Sequence, residues 1–292
     1  MTIQSSIVSI VQHEDLNFLL TNRIPRRLVT QFMGWFAKRE EPLVRDLSLA
    51  VWQFFADLEL EDAKTTDFKS MHDCFIRELK PGARPIASAA DVLVAPCDAI
   101  LGGSGRVDGD KLIQAKQFSY TLLDLLRDPH LVRLYRNGTY ATLRLTSSMY
   151  HRFHAPHDCT IDRVTYVSGD TWNTNPIALA RVEKLFCKNE RAIVKTTLTG
   201  SGHTVTLVPV AAILIASIRL HFLDVMLHLR HRGPHVFPCA ETVQKGQELG
   251  WFQHGSTIIV FAPEGFTLSP GLTPGARLRM GEPLMQLPVE AK

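Results

Sequence analysis

Residues 92–105, with the sequence VLVAPCDAILGGSG, consist of two short apolar runs that a proline separates and a glycine-rich turn ends. The same pattern of short apolar runs separated by Gly and Pro turns continues towards the C-terminus. The further runs are KLIQAK, YATLRL, CTIDRVTYV, AIVKTTL, TVTLVPV and STIIVFAP. This spacing is typical of a mostly β domain. The glycines of LTGSGHTV predict a hairpin turn around Gly200. One helix, residues 119–126, is predicted to interrupt the strands.

The N-terminal stretch has a different pattern, and residues 16–60 are predicted to be helical. One apolar stripe at helical spacing is formed by Leu28, Phe32, Trp35 and Phe36. Residues 21–39 carry five basic side chains and no acidic one. Two interpretations stay open from the composition: the stripe packs on the protein's own core, or its cationic flanks suit an interfacial helix on anionic lipid. A second helix is predicted from Leu43, Leu47, Val51, Phe54, Phe55 and Leu58.

Together these patterns predict an α+β fold, in which N-terminal amphipathic helices (residues 1–60) are attached to a large β-rich, barrel-like domain (residues 61–292). The 292 residues provide enough chain for a sizeable core. The most apolar run, residues 208–218, is too short to cross a bilayer and is predicted to be a buried strand. The N-terminus lacks the basic region of a secretory signal, so we expect an intracellular protein whose membrane contact is peripheral.

Composition argues against several functional classes. The 32 basic and 29 acidic residues give a net charge of +3, which is too balanced to indicate a nucleic-acid partner. The five cysteines are scattered and include no CxxC pair. This pattern fits a reducing compartment and argues against both a zinc knuckle and a disulfide framework.

Three places along the chain carry residues suited to catalysis. Asp98 lies between an apolar run and a glycine-rich turn, His151, His154 and His157 are close together, and Ser256 precedes a strand. Each has an ordinary explanation on its own: a turn cap, a surface loop and a Gly-Ser turn. Taken together, Asp, His and Ser could form a relay in which the carboxylate orients the imidazole and the imidazole takes the hydroxyl proton.

The sequence around Ser256 favours an internal target for this serine. HGSTI lacks the G-x-S-x-G elbow that exposes a hydrolase serine to an outside substrate. The nearest electrophile is the carbonyl of Gly255, and glycine permits the strained backbone angles that an internal attack needs. The pattern therefore suits self-processing at least as well as hydrolysis of an external ester.

From about residue 20 to its C-terminus, the chain resembles the phosphatidylserine decarboxylase proenzymes of the bacterial and mitochondrial type. The histidine motif YHRFH and the Gly-Ser-Thr step are the most diagnostic parts. The matching stretches are APCDAI, KLIQAKQFSYTLLDLL, RNGTYATLRLTSSMYHRFHAP, VSGDTWNTN, LFCKNERAIV and KGQELGWFQHGSTIIVFAPEG.

The resemblance implies a pyruvoyl enzyme made by self-cleavage. Asp98, His154 and Ser256 match the autoprocessing triad, and His151 resembles the histidine that assists decarboxylation and reprotonation. Cleavage between Gly255 and Ser256 would give chains 1–255 and 256–292, with a covalent pyruvoyl group formed from Ser256. That group would form a Schiff base with phosphatidylserine and yield phosphatidylethanolamine and carbon dioxide.

The resemblance also implies partners and a location. The N-terminal helices are expected to dock peripherally on the cytoplasmic face of the cell membrane, the two chains to stay associated, and the protein to form a homodimer. No metal and no nucleic acid are expected. Two positions depart from the family pattern: His254 replaces the usual Leu before Gly-Ser, and Ala99 replaces the glycine of Ala-Asp-Gly.

Three alternatives remain open from the residues. The first is a pyruvoyl enzyme for another amino acid or amino lipid. The second is a non-catalytic binding module, because VQKGQELGWF (residues 243–252) resembles a turn of lipoyl-like hybrid barrels. The third is a zinc hydrolase that uses Asp98, His151 and His154, although no HExxH motif accompanies them.

Overall fold

The computed structural model describes residues 14–56, 58–115, 118–213, 217–223, 226–228, 235–253 and 256–288. Three helices come first along this part of the chain, as the apolar spacing predicts, and five shorter ones follow. They are α1 (Glu14–Asn22), α2 (Arg26–Phe36), α3 (Pro42–Phe55), α4 (Met71–Phe75), α5 (Leu122–Leu126), α6 (Pro129–Tyr135), α7 (Pro176–Leu179) and α8 (Leu185–Lys188).

Strands make up most of the rest, and each of the predicted apolar runs forms one. In chain order they are β1 (Val92–Val94), β2 (Ala99–Arg106), β3 (Lys111–Ala115), β4 (Phe118–Thr121), β5 (Thr139–Leu145), β6 (Arg152–His154), β7 (Cys159–Val167), β8 (Arg191–Leu198), β9 (Thr204–Ala211), β10 (Ser217–Leu220), β11 (Met226–His228), β12 (Val236–Val243), β13 (Glu248–Phe252), β14 (Ser256–Ala262), β15 (Thr267–Leu268), β16 (Arg277–Leu278) and β17 (Pro283–Gln286).

The predicted α+β class is confirmed, but the barrel is not. The largest sheet has eight strands in the order β12-β7-β8-β9-β14-β5-β2-β16. It is open, because no pairing joins its edge strands β12 and β16 in the part of the chain that the structure describes. A hybrid-barrel module needs a closed sheet, so the binding-module alternative loses its structural basis.

A second sheet, β11-β10-β13-β6, packs on one face of the large sheet. Leu143, Leu207 and Ile258 of the large sheet share a buried cluster with Phe153 and Phe252 of the second. The opposite face of the large sheet is covered by α5 to α8 and forms a second buried cluster. Because β14 is covered on both faces, its sequence STIIVFA is an almost continuous apolar run instead of an alternating one.

The predicted hairpin turn is confirmed, and two other predictions are corrected. Gly200 and Gly202 adopt positive φ angles of 88° and 69° between the paired strands β8 and β9. The run 208–218 is two strands instead of one, because β9 ends at Ala211 in the large sheet and β10 begins in the second sheet. The helix predicted at 119–126 begins only at Leu122, since Thr121 caps it by accepting a hydrogen bond from the Asp124 N–H.

The first two helices, α1 and α2, are attached to the β-rich body by polar contacts. Arg26, at the start of α2, forms an ion pair with Asp170 at 2.6 Å, and its guanidinium stacks over the Trp172 ring. Asp15 of α1 pairs with Arg181 at 2.7 Å. The domain boundary near residue 60 remains a prediction. In the described part of the chain, none of the helices has the length and apolarity that a membrane span requires.

Candidate active site

Asp98 lies in the short connection between β1 and β2 and is held by an arginine that the sequence did not indicate. The Arg84 guanidinium contacts both carboxylate oxygens, with Nε at 2.9 Å from Oδ1 and Nη2 at 2.6 Å from Oδ2. The backbone N–H of Met280 also donates to Oδ1, at 2.8 Å. Arg84 and Asp98 are almost fully buried, with side-chain exposures of 3% and 6%. This carboxylate is therefore a fixed buried charge.

The histidine cluster is buried, so its interpretation as a surface loop is wrong. His151 is fully inaccessible, and His154 and His157 are 6% and 7% exposed. Both candidate histidines lie at β6, a strand of three residues that pairs with β13. The His154 N–H donates to the Pro96 carbonyl at 2.8 Å, which brings this histidine beside the segment that carries Asp98.

The hydrogen bonds of His154 define its tautomer. Nδ1 lies 2.9 Å from the Gly246 carbonyl and Nε2 lies 3.0 Å from the Tyr150 hydroxyl. A carbonyl only accepts, so Nδ1 carries the proton and Nε2 accepts from Tyr150. Burial lowers the pKa of His154, and the Gly246 hydrogen bond and the negative charges of Glu248 and Asp98 partly oppose this effect. The ring is therefore neutral, with its basic atom at Nε2.

Asp98 and His154 are close but not bonded to each other. Across the residues that the structure describes, no hydrogen bond joins the two side chains, and Asp98 acts on His154 through its charge. The groups that orient the imidazole are the Gly246 carbonyl and the Tyr150 hydroxyl. Gly246 has a φ of +79° and a Cβ there would lie 2.1 Å from Ile86, so only glycine places this carbonyl without strain.

His151 offers an unengaged base. Its Nδ1 donates to the Met149 carbonyl at 2.8 Å, and its Nε2 is buried with no hydrogen-bond partner among the described residues. The ring lies against Phe75, with 3.8 Å between the ring centroids. Burial lowers the pKa of His151 to about 3, so the imidazole is neutral and its Nε2 carries a free lone pair.

Ser256 is the first residue of β14, in register with Leu145 of β5 and Ala211 of β9. The chain that leads to it passes the histidines, because the Phe252 N–H donates to the His151 carbonyl at 3.1 Å. His254, which departs from the family pattern, and Gly255 lie outside the described residues. Ala99 begins β2 without a positive φ, and an alanine there causes no backbone strain.

An apolar groove of about 670 Å³ lies between α2, α3 and α4. Its lining includes Phe75, the ring that contacts His151. The exposed apolar stripe of α3 supplies part of the lining, with Leu43, Leu47, Val51 and Phe55. Phe54 of α3 is exposed without lining the groove, and so are Leu28, Phe32 and Trp35 of the α2 stripe. Of the two interpretations of the α2 stripe, packing on the core is therefore wrong for these three residues.

The residues present do not form a metal site. Within the described part of the chain, no three His, Cys, Asp or Glu side chains are grouped so that they could hold an ion. Asp98 is already paired with Arg84, and both histidines donate through Nδ1 to backbone carbonyls. This arrangement speaks against the zinc-hydrolase alternative.

Comparison with known proteins identifies the family. The sequence model described as phosphatidylserine decarboxylase matches residues 71–286. A phosphatidylserine decarboxylase proenzyme of Dickeya dadantii is 33% identical over 284 residues, which cover 94% of this chain and 93% of the relative. The corresponding proenzyme of Haemophilus influenzae is 34% identical over 269 residues (89% and 92%), and that of Saccharophagus degradans is 30% identical over 287 residues (95% and 99%). Similarity at this level over nearly the whole length shows that the chain belongs to the phosphatidylserine decarboxylase family.

Proposed function

We propose that the protein is a self-processing decarboxylase that converts phosphatidylserine to phosphatidylethanolamine and carbon dioxide. The observation that carries this proposal is the apolar groove between α2, α3 and α4, whose lining includes Phe75, the ring that contacts His151. A soluble amino acid needs no such groove, whereas a phospholipid needs a path for its acyl chains when its headgroup reaches a buried base.

The first reaction makes the cofactor from the chain itself. The Ser256 hydroxyl oxygen attacks the Gly255 carbonyl, and the amide becomes an ester as His154 takes the hydroxyl proton. β-Elimination then removes the α-proton of residue 256 and breaks its Cβ–O bond, which leaves Gly255 as the carboxyl end of chain 1–255 and residue 256 as dehydroalanine. Water hydrolyses the imine form of this residue to a pyruvoyl group, and its nitrogen leaves as ammonia. The hydrogen bonds of His154 support this role, because they keep Nε2 as the acceptor atom.

Asp98 supports self-cleavage by its charge. A buried carboxylate beside His154 stabilises the imidazolium that forms when this ring takes a proton. Arg84 and the Met280 N–H hold the carboxylate in one position. We therefore assign Asp98 an electrostatic role in the proposed triad, and we assign the orientation of the ring to Gly246 and Tyr150.

His151 suits a pyruvoyl group at residue 256, since its carbonyl accepts from the Phe252 N–H, four residues before the cleavage position, and its buried Nε2 has no partner from the described chain. A pyruvoyl ketone there would supply an electron sink for the electrons that departing carbon dioxide leaves behind. His151, whose resting Nε2 carries no proton, would receive there a proton that the substrate's ammonium group gives up and deliver it to the α-carbon of the product. Phe75 and the surrounding burial exclude water from this step.

The lipid would reach the site from a membrane on which the protein lies peripherally. Exposed apolar side chains of α3 line the groove, others lie on α2, and Arg23, Lys38 and Arg39 flank α2. This combination favours a surface of anionic lipid, as expected for the cytoplasmic face of a cell membrane. The homodimer implied by the family resemblance stays a prediction.

Intact-mass measurement and lipid turnover test the proposal together. We expect the purified protein to consist of chains 1–255 and 256–292 and to convert phosphatidylserine in vesicles. Ser256→Ala should remain one chain without activity, whereas Ser201→Ala, in the β8–β9 turn, should behave as the unaltered protein. An active protein that remains one uncut polypeptide would overturn the mechanism. Turnover of free phosphoserine or another amine, with none of phosphatidylserine, would instead favour the alternative substrate class.

A further inference from the structure

Glu190, immediately before β8, is a carboxyl group with no role in the reaction so far. The residue is fully buried, and neither carboxylate oxygen has a hydrogen-bond partner of standard geometry in the described structure. The Tyr166 phenol is the ionisable group that acts on it, as a hydrogen-bonding neighbour that lowers its pKa. Its neighbour Arg191 does not neutralise it, because that guanidinium donates to the carbonyls of Leu125 and Cys187. A buried acid that has a phenol beside it and no cation to pair its charge among the described residues is costly and needs an explanation.

The strand register places Glu190 close to the cleavage position. Arg191 pairs with Val210, and the Ala211 N–H donates to the Glu190 carbonyl at 2.8 Å, so Glu190 lies opposite Ala211. Ala211 in turn lies opposite Ser256. Opposed residues of antiparallel strands occupy the same face of the sheet, and neighbouring strands are about 4.8 Å apart. Glu190 and residue 256 are therefore on one face, about 10 Å apart between Cα atoms, with Ala211 between them in the strand register.

That face is the one covered by the second sheet. Ala192 and Val194 of β8 and Ile258 of β14 belong to the buried cluster shared with β6, β10 and β13. Since strand residues alternate between faces, positions 190 and 256 belong to the face that this layer covers. His151 immediately precedes β6, a strand of the covering sheet. Residue 256 thus shares a face with the buried Glu190 carboxyl, and the buried imidazole of His151 comes from the sheet packed on that face.

The reaction has an unassigned step that requires a base. The amine of phosphatidylserine is an ammonium group at neutral pH and cannot attack a ketone until it loses a proton. We propose that Glu190 is a catalytic residue that binds this ammonium group and takes its proton, an inference that rests on the proposed function. The transfer is balanced: the N–H bond breaks, an O–H bond forms on the Glu190 carboxylate, and a neutral amine and a neutral acid result.

The pKa values of Glu190 and His151 suit these two residues to different proton transfers. Burial raises the pKa of Glu190 to about 8, whereas burial lowers the pKa of His151 to about 3. At pH 7 the free Glu190 carboxyl is therefore mostly protonated, and its ionised fraction is a base of strength near the operating pH. The imidazole of His151 is too weak to deprotonate an ammonium group. The Tyr166 phenol, which lowers the pKa of Glu190, has its own pKa raised by burial and stays neutral.

The test compares two nitrogen nucleophiles in the Glu190→Gln variant. Self-cleavage is measured first by intact mass. The cleaved protein is then treated at pH 7 with phosphatidylserine vesicles and cyanoborohydride, or with methoxyamine, whose nitrogen is unprotonated at this pH. We call the covalent attachment of either amine to the pyruvoyl group its capture, and the mass added to chain 256–292 measures it. Glu183→Gln, an exposed glutamate of the same segment, is the matched control.

We expect Glu190→Gln to cleave and to capture methoxyamine at the unaltered rate. Its capture of phosphatidylserine should be slower by about 10²- to 10⁴-fold at pH 7. This defect should shrink as the pH rises and the free amine increases, and Glu190→Asp should restore part of the rate. A merely structural role would slow both nucleophiles alike, with no such pH dependence.

Two results would overturn the inference: capture of phosphatidylserine at the unaltered rate at pH 7, or equal loss of both captures. If Glu190→Gln fails to cleave, Glu190→Asp carries the same comparison. Failure of that variant to cleave would assign Glu190 to folding or self-processing instead. If the unaltered protein neither cleaves nor takes up methoxyamine, the proposed function itself fails, and the two failures are thus distinguishable.

Discussion

The Arg84–Asp98 ion pair is enclosed by the protein, and its two partners come from segments on either side of β1. Desolvating two charges is expensive, and the pair offsets this cost only while both partners are present. Removing one partner leaves the other as an unpaired buried charge, which is far more damaging than losing a pair on the surface. The stability of the site therefore depends on a contact that no local sequence pattern indicates.

We expect Arg84→Met to lower the free energy of unfolding by about 3–5 kcal/mol, because it leaves the Asp98 charge buried without a counter-ion. Denaturant titration measures this change. Arg106→Met, which removes an exposed pair with Glu264, is the control and should cost about 0–1 kcal/mol. The double variant Arg84→Met with Asp98→Asn should recover part of the loss. A cost as small as that of the control would contradict the structural role of this pair.

The proposed role of His154 as a base predicts that self-cleavage depends on pH in a defined direction. Burial lowers its pKa below the ordinary value of 6.5, so the ring stays neutral, and able to accept the serine proton, in more acidic solution than a free histidine. The rate of cleavage of newly synthesised precursor should therefore be flat between about pH 7.5 and 6.5 and decline only at lower pH. Gel quantification of the two chains over time measures it. A rate that already halves at pH 6.5 would indicate an unshifted histidine.

Glu190 should leave a signature in stability as well as in catalysis. Its pKa is raised from 4.5 to about 8 in the folded protein, so the folded state binds its proton more tightly than the unfolded state does. The resulting stability is present below pH 4.5 and is lost as the pH rises through about 8. In the uncleaved Ser256→Ala background, Glu190→Gln should therefore reduce the fall in melting temperature between pH 5 and pH 9. Identical pH dependence with and without Glu190→Gln would contradict a raised pKa.

At the scale of elements, the sequence predicted which residues share a face but not what covers that face. The spacing of Leu28, Phe32 and Trp35 places these side chains on one face of α2. The same spacing occurs in helices that pack on a protein core and in helices that lie on a membrane. Only the three-dimensional packing shows that these side chains are exposed. Strand β6 was not predicted, because its three residues are too few to show the alternation of apolar and polar residues that indicates a strand.

The α3 surface is expected to contribute directly to membrane binding. Leu47→Glu removes an exposed apolar side chain and adds a charge of the same sign as anionic lipid. The lost burial is worth about 1.5–3 kcal/mol, so binding to vesicles should weaken at least about tenfold. Ile113→Glu is the matched control, since both side chains belong to residues with 63% exposure and Ile113 lies on the β3 strand. Sedimentation with anionic vesicles measures binding, and equal effects of both variants would contradict a specific docking surface.

At the scale of the whole molecule, the local patterns predicted the strands but not whether those strands form a closed barrel or an open sheet. The apolar run of β14 shows that a strand is buried on both sides, whereas the choice between a barrel and an open sheet depends on whether distant edges meet. For the site, Asp98, the histidines and Ser256 were predicted from residue types and resemblance, and their roles stay predictions. The sequence did not indicate Arg84, Tyr150 and Glu190, because their contacts and burial arise only across the fold.

The position of β14 gives a prediction for the cleaved protein as a whole. This strand belongs to the proposed short chain 256–292, yet it lies inside the large sheet and pairs with β9 on one side and β5 on the other. The two chains should therefore remain one folded unit and separate only when the sheet unfolds. Unfolding of the cleaved form then produces two molecules from one, so its melting temperature should rise with protein concentration.

For a chain of this size, a tenfold increase in concentration corresponds to about 1.4 kcal/mol and hence a rise of about 3 °C. The uncleaved Ser256→Ala variant is the control: its unfolding releases no second chain, so its melting temperature should not change if it is monomeric. Calorimetry over a hundredfold concentration range measures both proteins. A cleaved form whose chains separate on gel filtration without denaturant would show that β14 is not held in the sheet as the structure describes.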